Sequence, residues 1–117
     1  MDELAGEAIG SAPSKEAATA HWAVRASRGL ALASPTSLAV TLEALQRGAK
    51  LQSLGDCLSM EYRVAQRFLK HPDFVEGVGA VLRLSGEAKA PQWAAAPSAD
   101  EVAGFFEPLD GGELVLE

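Results

Sequence analysis

The sequence predicts a mainly α-helical chain of four to five short helices. Serine-led capping signals recur ahead of apolar stretches, apolar residues repeat at helical rather than alternating spacing, and proline or glycine falls between the periodic stretches. No internal repeat is present, and no alternation is long enough for a sheet.

The first dozen residues are Gly, Ala, Ser and acid, with little to bury. Ser14 is placed to cap a helix from Lys15 to about Ala33, whose main apolar content is Trp22 and Val24. Residues 1–33 form an N-terminal segment on this reading, and residues 34–117 the principal helical region. Ser34-Pro35 opens the next helix, because serine accepts a backbone N–H and proline at the first position has none to waste. Leu38, Leu42 and Leu45 mark one of its faces, and Arg47-Gly48 reads as a basic end with a left-handed stop.

Ser53 with Asp56 is a capping-box variant that starts a helix expected to reach Lys70. Its stripe is Leu54, Leu58, Ala65 and Phe68, with Glu61 between them, and Pro72 forbids continuation. Asp73 and Glu76 read as a second box, followed by Phe74, Val78, Val81 and Leu82 on one face. Gly77 and Gly79 inside that helix cost about 1 kcal/mol each relative to alanine, which predicts close approach by a neighbour. Ser85-Gly86 is expected to end it. Pro91-Gln92-Trp93 is a loop with one large anchor, and Ser98 with Glu101 caps a short helix carrying Val102, Phe105 and Phe106. After Gly111-Gly112, Leu114 and Leu116 alternate like a strand edge.

Composition limits the function. The net charge is −6 and no two of the ten basic residues adjoin, so a direct nucleic-acid surface is not expected. No stretch approaches the roughly 20 apolar residues of a membrane-spanning helix, and no membrane partner is expected. The acidic start, Met1-Asp2-Glu3, is unlike a basic leader, so on its own the chain reads as cytosolic. One cysteine, Cys57, excludes an internal disulfide. Alanine supplies 22 of the apolar residues, whereas Leu, Ile, Val and Phe number 28. So few bulky side chains predict a thin core in want of a second body.

The chemistry is equally sparse. His21, Cys57 and His71 have no metal-ligand spacing, and no metal or cofactor is expected. A Cys57–His71 pair would have to meet across four helical turns. There is no phosphate-cradling glycine loop and no Gly-x-Ser-x-Gly. Glu61, Asp73 and Glu76 are the remaining carboxylates. Two of them are assigned to capping, and Glu61 is expected to be partly buried against Arg63 or Arg67. No catalytic residue is assigned to this chain.

Ser34-Pro35-Thr36-Ser37-Leu38, then Met60-Glu61-Tyr62-Arg63, then residues 73–82 and Pro91-Gln92-Trp93 occur in a fixed order. The series resembles the C-terminal part of the 3-hydroxyisobutyryl-CoA hydrolases, a branch of the crotonase (enoyl-CoA hydratase/isomerase) superfamily. The resemblance implies the C-terminal helical part of a crotonase-type fold without its ββα spiral core. It also implies CoA-thioester hydrolysis in valine catabolism, a mitochondrial setting, and catalytic residues that lie in that core. The acyl-CoA substrate is then met through the core, and the helices pack on the core or a neighbouring subunit as lid and packing elements. Gly79 stands where the family usually has a basic residue. The resemblance leaves Lys89 as a candidate for a CoA phosphate contact, against its reading as a solvated loop lysine. The alternative is a non-catalytic interaction subunit, such as a hydrolase-like mitochondrial ribosome component.

Overall fold

The computed structural model describes residues 14–82 and 90–116. The chain divides into two units at the Ala33/Ser34 junction. In the first, α1 (Lys15–Leu32) starts where Ser14 Oγ accepts the Ala17 N–H at 3.1 Å. It buries no side chain, and Trp22 is 64% exposed.

The second unit holds α2 (Pro35–Gly48), α3 (Leu54–Phe68), α4 (Pro72–Leu82) and α5 (Ala99–Gly104). Each of the serine caps expected at Ser34, Ser53 and Ser98 forms. Their hydroxyls accept the N–H groups of Ser37, Asp56 and Glu101 at 3.1 Å each, because cap and donor sit three residues apart on one chain. Two termini differ from expectation. Gly48 ends α2 in right-handed geometry, followed by right-handed Ala49; among the described residues the left-handed glycine is Gly111, at φ 74°. α3 stops at Phe68 rather than Lys70, since Pro72 begins α4 four residues on. The expected strand edge near Leu114 does not form, and the described residues contain no strand. Ser85-Gly86 lies outside the described residues.

α2 packs on α3 and α5, and α3 packs on α4. The core is Val40, Phe105 and Phe106, with Ala44, Met60, Val64, Phe68 and Val102 partly buried around it. The Phe68 and Phe105 rings meet at 4.7 Å between centroids. Apart from Phe68, the residues that hydrophobic spacing picks out on α2 and α3 are largely turned away from this core. α2 buries Thr36 and Val40 and leaves Leu42 and Leu45 58% and 68% exposed; α3 leaves Leu54 75% exposed. Periodicity finds an apolar face, but both helices carry two: α2 turns Thr36 and Val40 inward, and α3 turns Met60, Val64 and Phe68 inward.

α4 inverts the usual arrangement most fully. Phe74, Val75, Val78, Val81 and Leu82 are 40–81% exposed, while Asp73, Glu76, Gly77 and Ala80 face the body of the unit. The neighbour expected at Gly77 lies within this chain: a Cβ there would stand 3.3 Å from Trp93 Cη2. Gly79 meets nothing within 4 Å. Alanine at Gly77 is therefore expected to be near neutral, its helix gain of about 1 kcal/mol set against a tight contact. Gly77→Leu is expected to expel the indole. Trp22 is already exposed, so a red shift of tryptophan emission in that variant reports Trp93. An unchanged spectrum would show that the indole does not rest on Gly77.

Candidate functional site

The densest polar cluster joins three elements around Asp73. His71, between α3 and α4, accepts the Asp73 N–H on Nδ1 at 3.1 Å and so caps α4 in the place assigned to Asp73. This frees the Asp73 carboxylate, which is 5% exposed. It accepts the Ser34 hydroxyl at 2.6 Å on Oδ2 and the Ala94 N–H at 2.8 Å on Oδ1. Glu76, the other residue of the supposed box, accepts the Gln92 N–H at 2.9 Å. Both carboxylates thus fasten the 90–94 loop to α4 rather than capping it. Burial works to raise the Asp73 pKa, but the bonds from Ser34 and Ala94 and the nearby His71 outweigh it. The net shift is downward.

Serine, histidine and aspartate meet here, but not as a nucleophile with its base. The Ser34 proton points at Asp73, its oxygen accepts the Ser37 N–H, and the residue is 5% exposed. Imidazole contacts the aspartate's backbone, with Nδ1 4.0 Å from Oδ2. A triad needs the serine proton on the imidazole and an accessible Oγ. The cluster is a structural knot.

The second cluster fastens the C-terminal tail to α3. Arg63 meets the Glu113 carboxylate at 2.6 Å and donates to the Phe106 carbonyl at 3.2 Å. Arg67 donates to the carbonyls of Phe105 and Pro108 at 3.1 and 3.3 Å. These arginines satisfy carbonyls of the chain just past the end of α5. The bond from Arg63 is the largest cause of the lowered Glu113 pKa, and its reciprocal raises that of Arg63.

A cavity of about 450 Å³ lies beside this clamp, between Arg47, Lys50, Asp56, Met60, Arg63 and Phe106. Its cations do not make it a phosphate site. Arg47 is paired with Glu43 and stacks 4.4 Å over the Phe106 ring, and Arg63 is paired with Glu113. The remaining cation, Lys50, is matched in number by Asp56 on the same lining, so no net positive charge remains to hold an anion.

The sequence-assigned positions do not converge. Lys89 lies outside the described residues. Glu61 is exposed and makes no ion pair among the described residues, contrary to the expectation of a buried pair. Arg63 and Arg67 project toward the tail instead. Cys57 sits in the first turn of α3 and His71 beyond its end, about 20 Å along the axis at 1.5 Å per residue. Among the described residues no three His, Cys, Asp or Glu side chains gather as metal ligands, and no helix is long and apolar enough to cross a membrane. Asp73 escaped sequence reasoning because its partners lie 39 and 21 residues away. The one available signal was His71-Pro72 ahead of it, an alternative helix start.

Similarity to known proteins gives the missing context. The mitochondrial 3-hydroxyisobutyryl-CoA hydrolase of Dictyostelium discoideum is 42% identical over 98 residues, 80% of this chain and 25% of that protein. The enzyme of the same name from Gallus gallus is 41% identical over 87 residues, 71% of this chain and 22% of the relative. That from Homo sapiens is 35% identical over 85 residues, 69% and 21% respectively. The chain thus spans about a quarter of the length of the curated relatives it matches. No solved structure matches it. Residues 3–104 match the enoyl-CoA hydratase/isomerase family, and the chain belongs to that family.

Proposed function

We propose that this chain supplies lid and packing helices to a 3-hydroxyisobutyryl-CoA hydrolase-like thioesterase, as its C-terminal helical part. The observation that carries the reading is the inversion of α4, which turns its bulky apolar face outward and its small and polar face inward. A helix so arranged needs a second body over Phe74, Val78 and Val81, since exposed apolar patches of this kind mark interaction sites. The natural second body is the part of the relatives' length that this chain does not span. The relatives' names supply the substrate class, a CoA thioester, and the mitochondrial setting.

Thioester hydrolysis needs donors aimed at the carbonyl oxygen and a group that manages the attacking water. The two clusters of this chain spend their donors and carboxylates on each other. The purified 117-residue protein is therefore expected to release no thiol from acyl-CoA esters above background. It is also expected to be helical by far-UV circular dichroism and to self-associate through α4. Thiol release that survives further purification would defeat the assignment of the chemistry to another part. A monomeric chain that melts cooperatively would defeat the lid.

A further inference from the structure

The outward apolar face of α3 carries one charge at its centre. Leu54, Leu58, Ala65 and Leu69 are all exposed on this face, with Glu61 among them. The residues three and four positions from Glu61 are Cys57, Leu58, Val64 and Ala65, so nothing on its own helix offers a countercharge. The two arginines of α3 are committed to the tail, Arg63 to Glu113 and the Phe106 carbonyl, Arg67 to the carbonyls of Phe105 and Pro108.

Any body covering this face strips water from the Glu61 carboxylate. An unpaired buried carboxylate is among the most costly groups in a protein, so the covering surface must bring a cation. A second copy of this chain would bring Glu61 itself, and like charges brought together on a desolvated face repel. The face is thus selective: apolar enough to dock, yet charged against its own copy.

We infer that the Leu54–Leu58–Ala65 face of α3 is a recognition surface for an apolar protein surface bearing one arginine or lysine, which closes on Glu61. The inference rests on the docking role proposed above and names its occupant as the remaining part of the hydrolase-like protein. Glu61 is then a positioning residue that sets the register of the helices on that part.

The test is a graft in which this chain replaces its matched 98 residues in the Dictyostelium relative. The graft with Glu61 intact is expected to melt as one cooperative unit. Glu61→Lys should lower its melting temperature by roughly 5–10 °C, with Glu61→Gln between, and leave the isolated chain unchanged. One Lys→Glu or Arg→Glu substitution in the upstream part should restore the Glu61→Lys graft, which a purely structural defect would not allow. If the graft melts cooperatively and Glu61→Lys is harmless, the recognition role is wrong while the docking role stands. Independent melting of the two parts in the unmutated graft would refute docking, and this inference with it.

Discussion

Phe106→Ala is expected to unfold the second unit. The ring is 4% exposed at the centre of a core with only two other buried apolar side chains among the described residues. Truncating a buried phenylalanine costs about 3–5 kcal/mol, a large share of the stability of any small domain. Arg47 would also lose the aromatic face it stacks on. Far-UV circular dichroism should keep part of the helical signal, because the serine caps act locally, while the dispersion of the proton NMR spectrum collapses. Leu42→Ala and Leu45→Ala are the controls, expected within about 0.5 kcal/mol of the parent because their side chains face solvent in this chain. Equal effects of Phe106→Ala and Leu42→Ala on the urea midpoint would mean that the core has been misplaced.

Asp73→Ala should come second, at about 2–4 kcal/mol. It leaves the Ser34 hydroxyl and the Ala94 N–H without their acceptor, and unmade bonds to buried donors cost about 1–3 kcal/mol each. The acid limb of the stability curve tests the same contacts. The folded carboxyl has a pKa below its ordinary value, so its contribution is complete above the unfolded pKa of about 3.9. It is lost as pH falls through the depressed folded value. The stability gap between the parent and Asp73→Asn should therefore narrow from pH 6 to pH 3 in urea titrations. A gap independent of pH would show that the carboxylate charge is not what the knot uses.

What could be read from the sequence follows the range of the interactions. Ser14, Ser34, Ser53 and Ser98 each bond three residues ahead, so their helices were legible from four-residue windows. Asp73 carries an equally local box signal, yet His71 takes the cap and releases the carboxylate to distant partners that no window contains. Hydrophobic spacing found real faces on α2, α3 and α4, but spacing says that a face is apolar and not what covers it. The Leu42, Leu54 and Phe74 faces all stand outside the core, whereas Phe68, on the same α3 stripe as Leu54, packs against it. Glu61 was misassigned for the same reason: a carboxylate on an apolar stripe implies a counterion, and the sequence offered only Arg63 and Arg67. The family resemblance reaches further than any of these local rules, since it draws on the spacing between motifs from Ser34 to Trp93.

The links that close the second unit span far more chain than those that start its helices. Ser34 reaches Asp73 across 39 residues, Asp73 reaches Ala94 across 21, and Arg63 reaches Glu113 across 50. Closing a loop costs entropy that rises with the logarithm of its length, whereas a capped helix forms on the microsecond scale or faster. Assembly should therefore be ordered: helical segments flicker into place first, the Asp73 knot ties the loop to α4, and the Arg63 clamp shuts last. During translation Glu113 emerges 50 residues after Arg63, so the longest closure waits on it. Until then the outward faces of α2, α3 and α4 are already displayed, ahead of the closure of the chain around its own small core.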